Sequence, residues 1–167
     1  MLLLPQYAKA RIFLTKVISL ASIVDVMYDV YGTAEELQQF SDAIEKYRRR
    51  NGQGRRGQYT ARFDYAKDAF KRLTRSYQQE AKWFQISYFP TFEEYMSVAC
   101  VSDGLKMLAV TSSVLMGNIA TREAFEWMSK DPSILRAISV ILRAIFELWW
   151  FGIQVVRSSI RVLRALC

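Results

Sequence analysis

The sequence predicts an all-α fold, a bundle of helices joined by short links. Three observations predict it. Apolar residues recur at three- and four-residue steps through most of the chain, the spacing of a helix face. Two of the periodic stretches are preceded by Thr-x-x-Glu, Thr33 with Glu36 and Thr91 with Glu94, the pattern of a capping box. The residues that break helices, Gly32, the glycines between 52 and 57, and Pro90, fall between those stretches. At 167 residues the chain has the size of one domain, and it carries no internal repeat.

The elements follow in order. Pro5 suits the first turn of a helix, where its missing N–H costs nothing. From Gln6 to Tyr31, Ile12, Phe13, Val17, Leu20, Ile23, Val24 and Met27 make one apolar face, and Gly32 ends the run. Thr33 caps a second helix, Ala34 to about Tyr47. Asn51 to Gly57 reads as a loop, with three glycines and no periodic apolar residue. A long helix follows, Tyr59 to about Tyr88, with Phe63, Ala66, Phe70, Leu73, Tyr77, Ala81 and Phe84 on one face. Pro90 stops the chain and Thr91 caps the next stretch, Phe92 to Gly117. That stretch is expected to break at Ser102-Asp103-Gly104, because glycine inside a helix costs about 1 kcal/mol relative to alanine. Thr121 caps a short helix to Ser129, and Asp131-Pro132 opens the last one, with proline in its first position.

Bulk properties exclude several functions. A hydrophobic content of 51% with three prolines is not that of a disordered chain. The absence of histidine excludes Ser-His-Asp and Cys-His nucleophile systems and any His-bearing metal site. Cys100 and Cys167 stand far apart, without a CxxC, so neither a zinc cluster nor a disulfide framework is expected. The net charge of +7 is uneven: Lys46 to Arg56 (KYRRRNGQGRR) concentrates cations in a Gly-containing link. That link lacks the interleaved aromatics of a single-strand binder, so nucleic acid is not expected as a partner. MLLLP is too short an apolar run for a secretory signal, which leaves a cytoplasmic location as the expectation.

The candidate chemistry sits at the end of the first helix. Asp25 and Asp29 are one turn apart, so both side chains leave the same face, with Cβ atoms about 5–6 Å apart. At an effective dielectric near 20 two such charges repel by roughly 3 kcal/mol and favour a cation between them. Oxygen-only ligands suit Mg²⁺, with Mn²⁺ as the alternative ion. The same spacing also serves two separate surface acids, and alone it is a weak signal.

The letters around the pair are more specific. KVISLASIVDVMYDVYGTAEELQQFSDAIEKY, Lys16 to Tyr47, resembles the aspartate-rich helix of plant-type class I terpene synthases, sesquiterpene cyclases above all. The resemblance continues through SYQQEAKWF from Ser76, PTFEEYM from Pro90 and TREAFEWMSKDPSILRA from Thr121, in the family's order. It implies a partial class I terpenoid synthase bundle over residues 1–143. It also implies that a basic loop, 48–58, replaces a family helix, leaving a groove with apolar walls. Residues 144–167 diverge from the family. The implied cofactor is Mg²⁺, and the implied substrate is a prenyl diphosphate such as farnesyl diphosphate. Its ionisation leaves an allylic cation that an apolar, aromatic cavity must shelter from water. Tyr28, Tyr31, Trp83, Phe84 and Trp127 are the aromatic candidates for that cavity or for the core.

The resemblance also implies a damaged site. The family's first motif, DDxxD, is Asp25-Val26-Met27-Tyr28-Asp29 here. Val26 points about 100° away from Asp25, so the change removes a steadying partner rather than a ligand, a loss of roughly 10–100-fold in affinity or activity. The second motif places Asn/Asp, Ser/Thr and Glu at four-residue steps, and its positions here are Phe146, Trp150 and Gln154. No hard-oxygen triad remains there, and Glu147 starts no alternative register. Arg143 matches a family arginine that holds the diphosphate, although an ordinary helix-surface arginine is the other reading. The family's upstream RxR motif, its N-terminal domain and its active-site lid have no counterpart. The expectation is a catalytically impaired or inactive copy, or else a non-catalytic interaction fragment. From Ala144 onward the longest uncharged run, Leu148 to Val156, is too short to span a bilayer. With its arginines and tryptophans, the tail suits a bundle-covering helix, weak contact with a membrane surface, or sequence from an altered reading frame.

Overall fold

The computed structural model describes residues 4–51 and 58–166. Seven α-helices carry almost all of them: α1 Ala8–Val26, α2 Ala34–Asn51, α3 Gln58–Gln85, α4 Phe92–Ser102, α5 Leu105–Val114, α6 Arg122–Ser129 and α7 Ser133–Leu166. No strand occurs among the described residues. The helix α3 is central and packs against α2, α4 and α5, while α1 lies on α5 and α7 on α4.

Periodicity explains the core. Leu73 of α3, Val24 of α1, Val114 of α5 and Phe125 of α6 are almost completely buried in one cluster. Tyr65 stacks on Phe125 with ring centroids 5.4 Å apart, and Phe13 meets Phe63 edge-on at the same separation. The face predicted for α1 is only partly used. Ile12 and Ile23 are each 59% exposed, because they sit about 100° round the helix from Val24, beyond the reach of α3 and α5. Leu20 is half-exposed for another reason. With Phe13, Val17, Phe63, Phe70 and Ile44 it lines an open apolar groove of about 340 Å³ between α1, α2 and α3.

The caps read from sequence are present. The Thr91 hydroxyl accepts from the Glu94 N–H at 3.2 Å and the Glu94 carboxylate accepts from the Thr91 N–H at 2.8 Å. Thr33 and Glu36 repeat the arrangement at the start of α2. Thr121 accepts from the Ala124 N–H at 3.3 Å. The expected break after Ser102 occurs, and Gly104 adopts φ 74°, a left-handed conformation that glycine takes without a Cβ penalty.

Several boundaries differ from expectation. The helix α2 continues to Asn51 and α3 begins at Gln58, so the ends of the expected 48–58 loop are helical; residues 52–57 lie outside the described residues. The end of α3 comes at Gln85, where Ser87 takes a left-handed φ of 51° and the chain turns before Pro90. Phe84 is consequently 86% exposed and drops out of the predicted face. Pro132 precedes α7 instead of opening it: its carbonyl accepts the first helical bond, from Arg136 N–H at 3.2 Å. Finally, α1 does not run regularly to Tyr31. From Met27 to Tyr31 the helix widens into a π-type turn, closed by the Gly32 N–H on the Met27 carbonyl at 2.9 Å. A Cβ at Gly32 would lie 2.8 Å from the Met27 backbone carbonyl oxygen, which cannot give way as the nearby Leu37 side chain can, so glycine suits this close passage into α2.

Candidate metal centre

The π-type turn decides where the two candidate acids stand. Asp25 occupies the last regular turn of α1 and Asp29 the widened turn, which Tyr28 anchors below. The Tyr28 ring is buried in the core, and its hydroxyl shares a 2.6 Å hydrogen bond with Ser41 of α2. Asp25 and Asp29 thereby line one wall of a cavity of about 380 Å³. Burial, and then the negative charge of Asp29, raises the Asp25 carboxyl above its ordinary range; a hydrogen bond from Tyr77 and the charge of Arg143 oppose this. Burial raises Asp29 too, again against Arg143. Two carboxyls whose ionisation is opposed by burial, with Arg143 offsetting it only in part, are a setting that a cation relieves.

Sequence reasoning missed the rest of the acidic wall. Glu80, one turn beyond Tyr77 on α3, lines the same cavity, and burial raises its carboxyl as well. Ser102 donates to Glu80 at 2.8 Å. Asp103 uses one oxygen to cap Leu105 N–H at 2.9 Å. Its other oxygen is buried without a hydrogen-bond partner among the described residues. The signal is available in part: SYQQE puts Glu80 three residues after Tyr77 on one helix face, whereas Ser102-Asp103-Gly104 carries the signal of a helix break and none of an acidic wall. Burial and Asp25 together push the Tyr77 phenol far above its usual range, so it serves as a neutral donor.

The facing wall comes from α7. Arg143 lies in this cavity with its side chain 19% exposed, so it is not an ordinary surface arginine. Its Nε donates to the Tyr95 hydroxyl at 2.8 Å and stands 2.9 Å from the Glu147 carboxylate as an ion pair, and an Nη lies 3.7 Å from Glu80. Burial disfavours the charged guanidinium, but Tyr95, Glu80 and Glu147 outweigh it and raise its pKa. Phe146 lines the cavity and is half-exposed. The side chains of Trp150 and Gln154 lie outside the described residues.

The aromatic expectation needs correction. Tyr28 is core, Trp83 packs against Tyr88, and Phe84 and Trp127 face solvent. None of the four lines this cavity; Tyr77 and Phe146 do. The Tyr31 side chain lies outside the described residues.

Hard oxygens from Asp25 and Asp29, with the orphaned Asp103 oxygen on the same cavity, fit one Mg²⁺ or Mn²⁺ that keeps water or phosphate as further ligands. Among the described residues no three acids stand close enough together to cage an ion by themselves. The cavity thus combines four acids, Asp25, Asp29, Glu80 and Asp103, with an arginine and an aromatic ring from α7.

Comparison with known proteins gives a consistent picture. The profile of the terpene synthase family, metal binding domain, matches residues 1–55 and 51–149. Sesquiterpene synthase 2 of Thapsia garganica is 55% identical over 163 residues, covering 83% of this chain and 29% of its own length. The (-)-germacrene D synthase of Vitis vinifera is 41% identical over 162 residues, with the same two coverages. The chain therefore spans under a third of these relatives. Isoprene synthase from grey poplar leaves (Populus x canescens) superposes with a TM-score of 0.73 at 24% identity, over 92% of this chain and 33% of that one. The same enzyme has been solved in complex with three Mg²⁺ ions and dimethylallyl-S-thiolodiphosphate.

Proposed function

The chain belongs to the terpene synthase family, in its metal-binding domain, and from that premise we propose that it binds a prenyl diphosphate with Mg²⁺ but does not turn it over unaided. Asp25 and Asp29 hold one divalent ion, Mg²⁺ or alternatively Mn²⁺, and Arg143 meets the diphosphate. Farnesyl diphosphate is the substrate class that the sesquiterpene synthase relatives suggest. When bound, the metal offsets the charge of the diphosphate leaving group. The chain's own residues then do the rest: Arg143 orients the anion, Tyr77 donates to Asp25, and Phe146 and Leu142 border the apolar side of the cavity.

The observation that carries this reading is the asymmetry of the cavity. Carboxylates line the α1 side, while α7 presents Phe146 where the resemblance calls for a metal ligand. An aromatic ring cannot coordinate a hard cation, so further ions have no seat on that side. Loss of a family helix near 48–58 is part of the same proposal. In its support, the family match is split at residues 51–55, and 163 relative residues align with only 83% of this chain. The apolar groove between α1, α2 and α3 supports it too.

Incubation of the purified chain with farnesyl diphosphate and Mg²⁺, followed by gas chromatography, tests the proposal. No hydrocarbon above the chain-free control is expected. Product that disappears with Asp25→Ala would overturn it.

A second reading, surface binding without catalysis, is favoured by one observation. The outer face of α7 exposes Ile134, Ile141, Ile145, Leu148 and Trp149, each at least half-exposed. Among the described residues no helix is long and apolar enough to cross a membrane, so the contact would be with the lipid surface. Sedimentation with anionic vesicles at low salt decides it: no co-sedimentation removes this reading.

A further inference from the structure

We infer that Tyr95 and Glu147 are positioning residues, which fix the Arg143 guanidinium so that only its outer edge is presented to an anion in the cavity. The inference rests on the reading above in one respect, that the anion is a diphosphate. Neither residue is itself a wall of that cavity. They act from behind, through Arg143.

An arginine side chain on a helix has many rotamers, and holding one of them costs entropy that only specific contacts offset. Here three helices supply those contacts. The Nε of Arg143 donates to the Tyr95 hydroxyl of α4 at 2.8 Å and pairs with the Glu147 carboxylate, one turn along α7, at 2.9 Å. The Tyr95 hydroxyl in turn donates to Glu147, which closes a ring of three groups. The guanidinium carbon stands 5.3 Å from the Tyr95 ring centroid and 5.7 Å from that of Phe146, within cation–π range. On the opposite side an Nη lies 3.7 Å from Glu80, which belongs to the cavity.

This arrangement divides the guanidinium. Arginine recognises phosphate through two parallel N–H groups on one edge. With Nε donating to Tyr95 and held against Glu147, the pair of terminal nitrogens remains for the anion, and one of them stands 3.7 Å from Glu80 in the cavity. Glu147 also keeps the buried cation paired when no anion is present. Loss of Tyr95's hydroxyl would free the side chain without altering any charge.

The test uses the full chain and two readouts. The first is the Nε–H signal of Arg143 in ¹⁵N-labelled protein, assigned with Arg143→Lys. It reports positioning whether or not a ligand binds. The second is calorimetric affinity for inorganic pyrophosphate with Mg²⁺. The signal is expected to be protected from exchange in the wild type and lost in Tyr95→Phe, with pyrophosphate affinity falling by about tenfold. Glu147→Ala removes the carboxylate that holds the Tyr95 hydroxyl and pairs with Nε, and should lose the signal too, whereas Glu147→Gln, which keeps an acceptor oxygen for that hydroxyl, should restore it. A signal that survives both Tyr95→Phe and Glu147→Ala overturns the inference. So does a Tyr95→Phe protein that loses the signal yet binds pyrophosphate as the wild type does. If the wild type shows the protected signal but takes up no pyrophosphate, the positioning stands and the diphosphate reading falls.

Discussion

Asp25, Asp29 and Glu80 share one electrostatic condition: burial raises all three carboxyls, and in Asp25 the neighbouring charge of Asp29 adds to it. An acid whose folded pKa lies above its unfolded value binds more protons in the folded state. Its contribution to stability is therefore fully present below the ordinary carboxylate range and is lost as pH rises through the raised value. Near neutral pH without metal, these residues weaken the fold. Thermal melts should show Asp25→Asn/Asp29→Asn unfolding at a higher temperature than the wild type at pH 7. The gap should narrow as pH falls through the raised values and close below the ordinary carboxylate range, where the acids are protonated folded and unfolded alike. Mg²⁺ should close the gap at pH 7 by raising the wild type alone. A double variant less stable than the wild type at pH 7 would contradict this electrostatic picture.

At the scale of elements, what holds the site is the way α3 gathers the other helices. Leu73 is 1% exposed at the middle of that assembly. Leu73→Ala should cost about 2–5 kcal/mol in chemical denaturation, the range of large-to-small changes in a closed core. A smaller structural unit ties α3, α5 and the start of α7: Asp131 accepts from Arg72 at 2.7 Å and also from Lys106, whose side chain is 11% exposed. Asp131→Ala leaves that ammonium without its carboxylate and should destabilise by about 1–3 kcal/mol. Thr91→Ala removes the α4 cap, with an expected loss of about 1 kcal/mol and no change in the cavity. Sequence made these elements readable because caps and periodicity are local. It did not reveal the widened turn at Met27–Tyr31, since the same apolar spacing suits a regular helix as well. Nor could it tell that Ile12 and Ile23 stay exposed, because that depends on which neighbours are present to cover them.

For the molecule as a whole, family resemblance located Asp25, Asp29 and Arg143, and the structure brings all three to one cavity. Glu80, on α3, and Asp103, in the link between α4 and α5, join them through folding, so their place beside Asp25 and Asp29 was not legible from spacing near that pair. Of the partners of Arg143, Glu147 lies one helical turn away in sequence, whereas Tyr95 meets it across 48 residues and was hidden. The central claim is that one wall of the metal site retains its oxygens and the α7 wall does not. Calorimetric titration of Mg²⁺ into the chain saturated with a non-reactive prenyl diphosphate analogue tests that claim most directly. The account predicts uptake of a single ion per chain, abolished by Asp25→Ala. Cooperative uptake of three ions would contradict it.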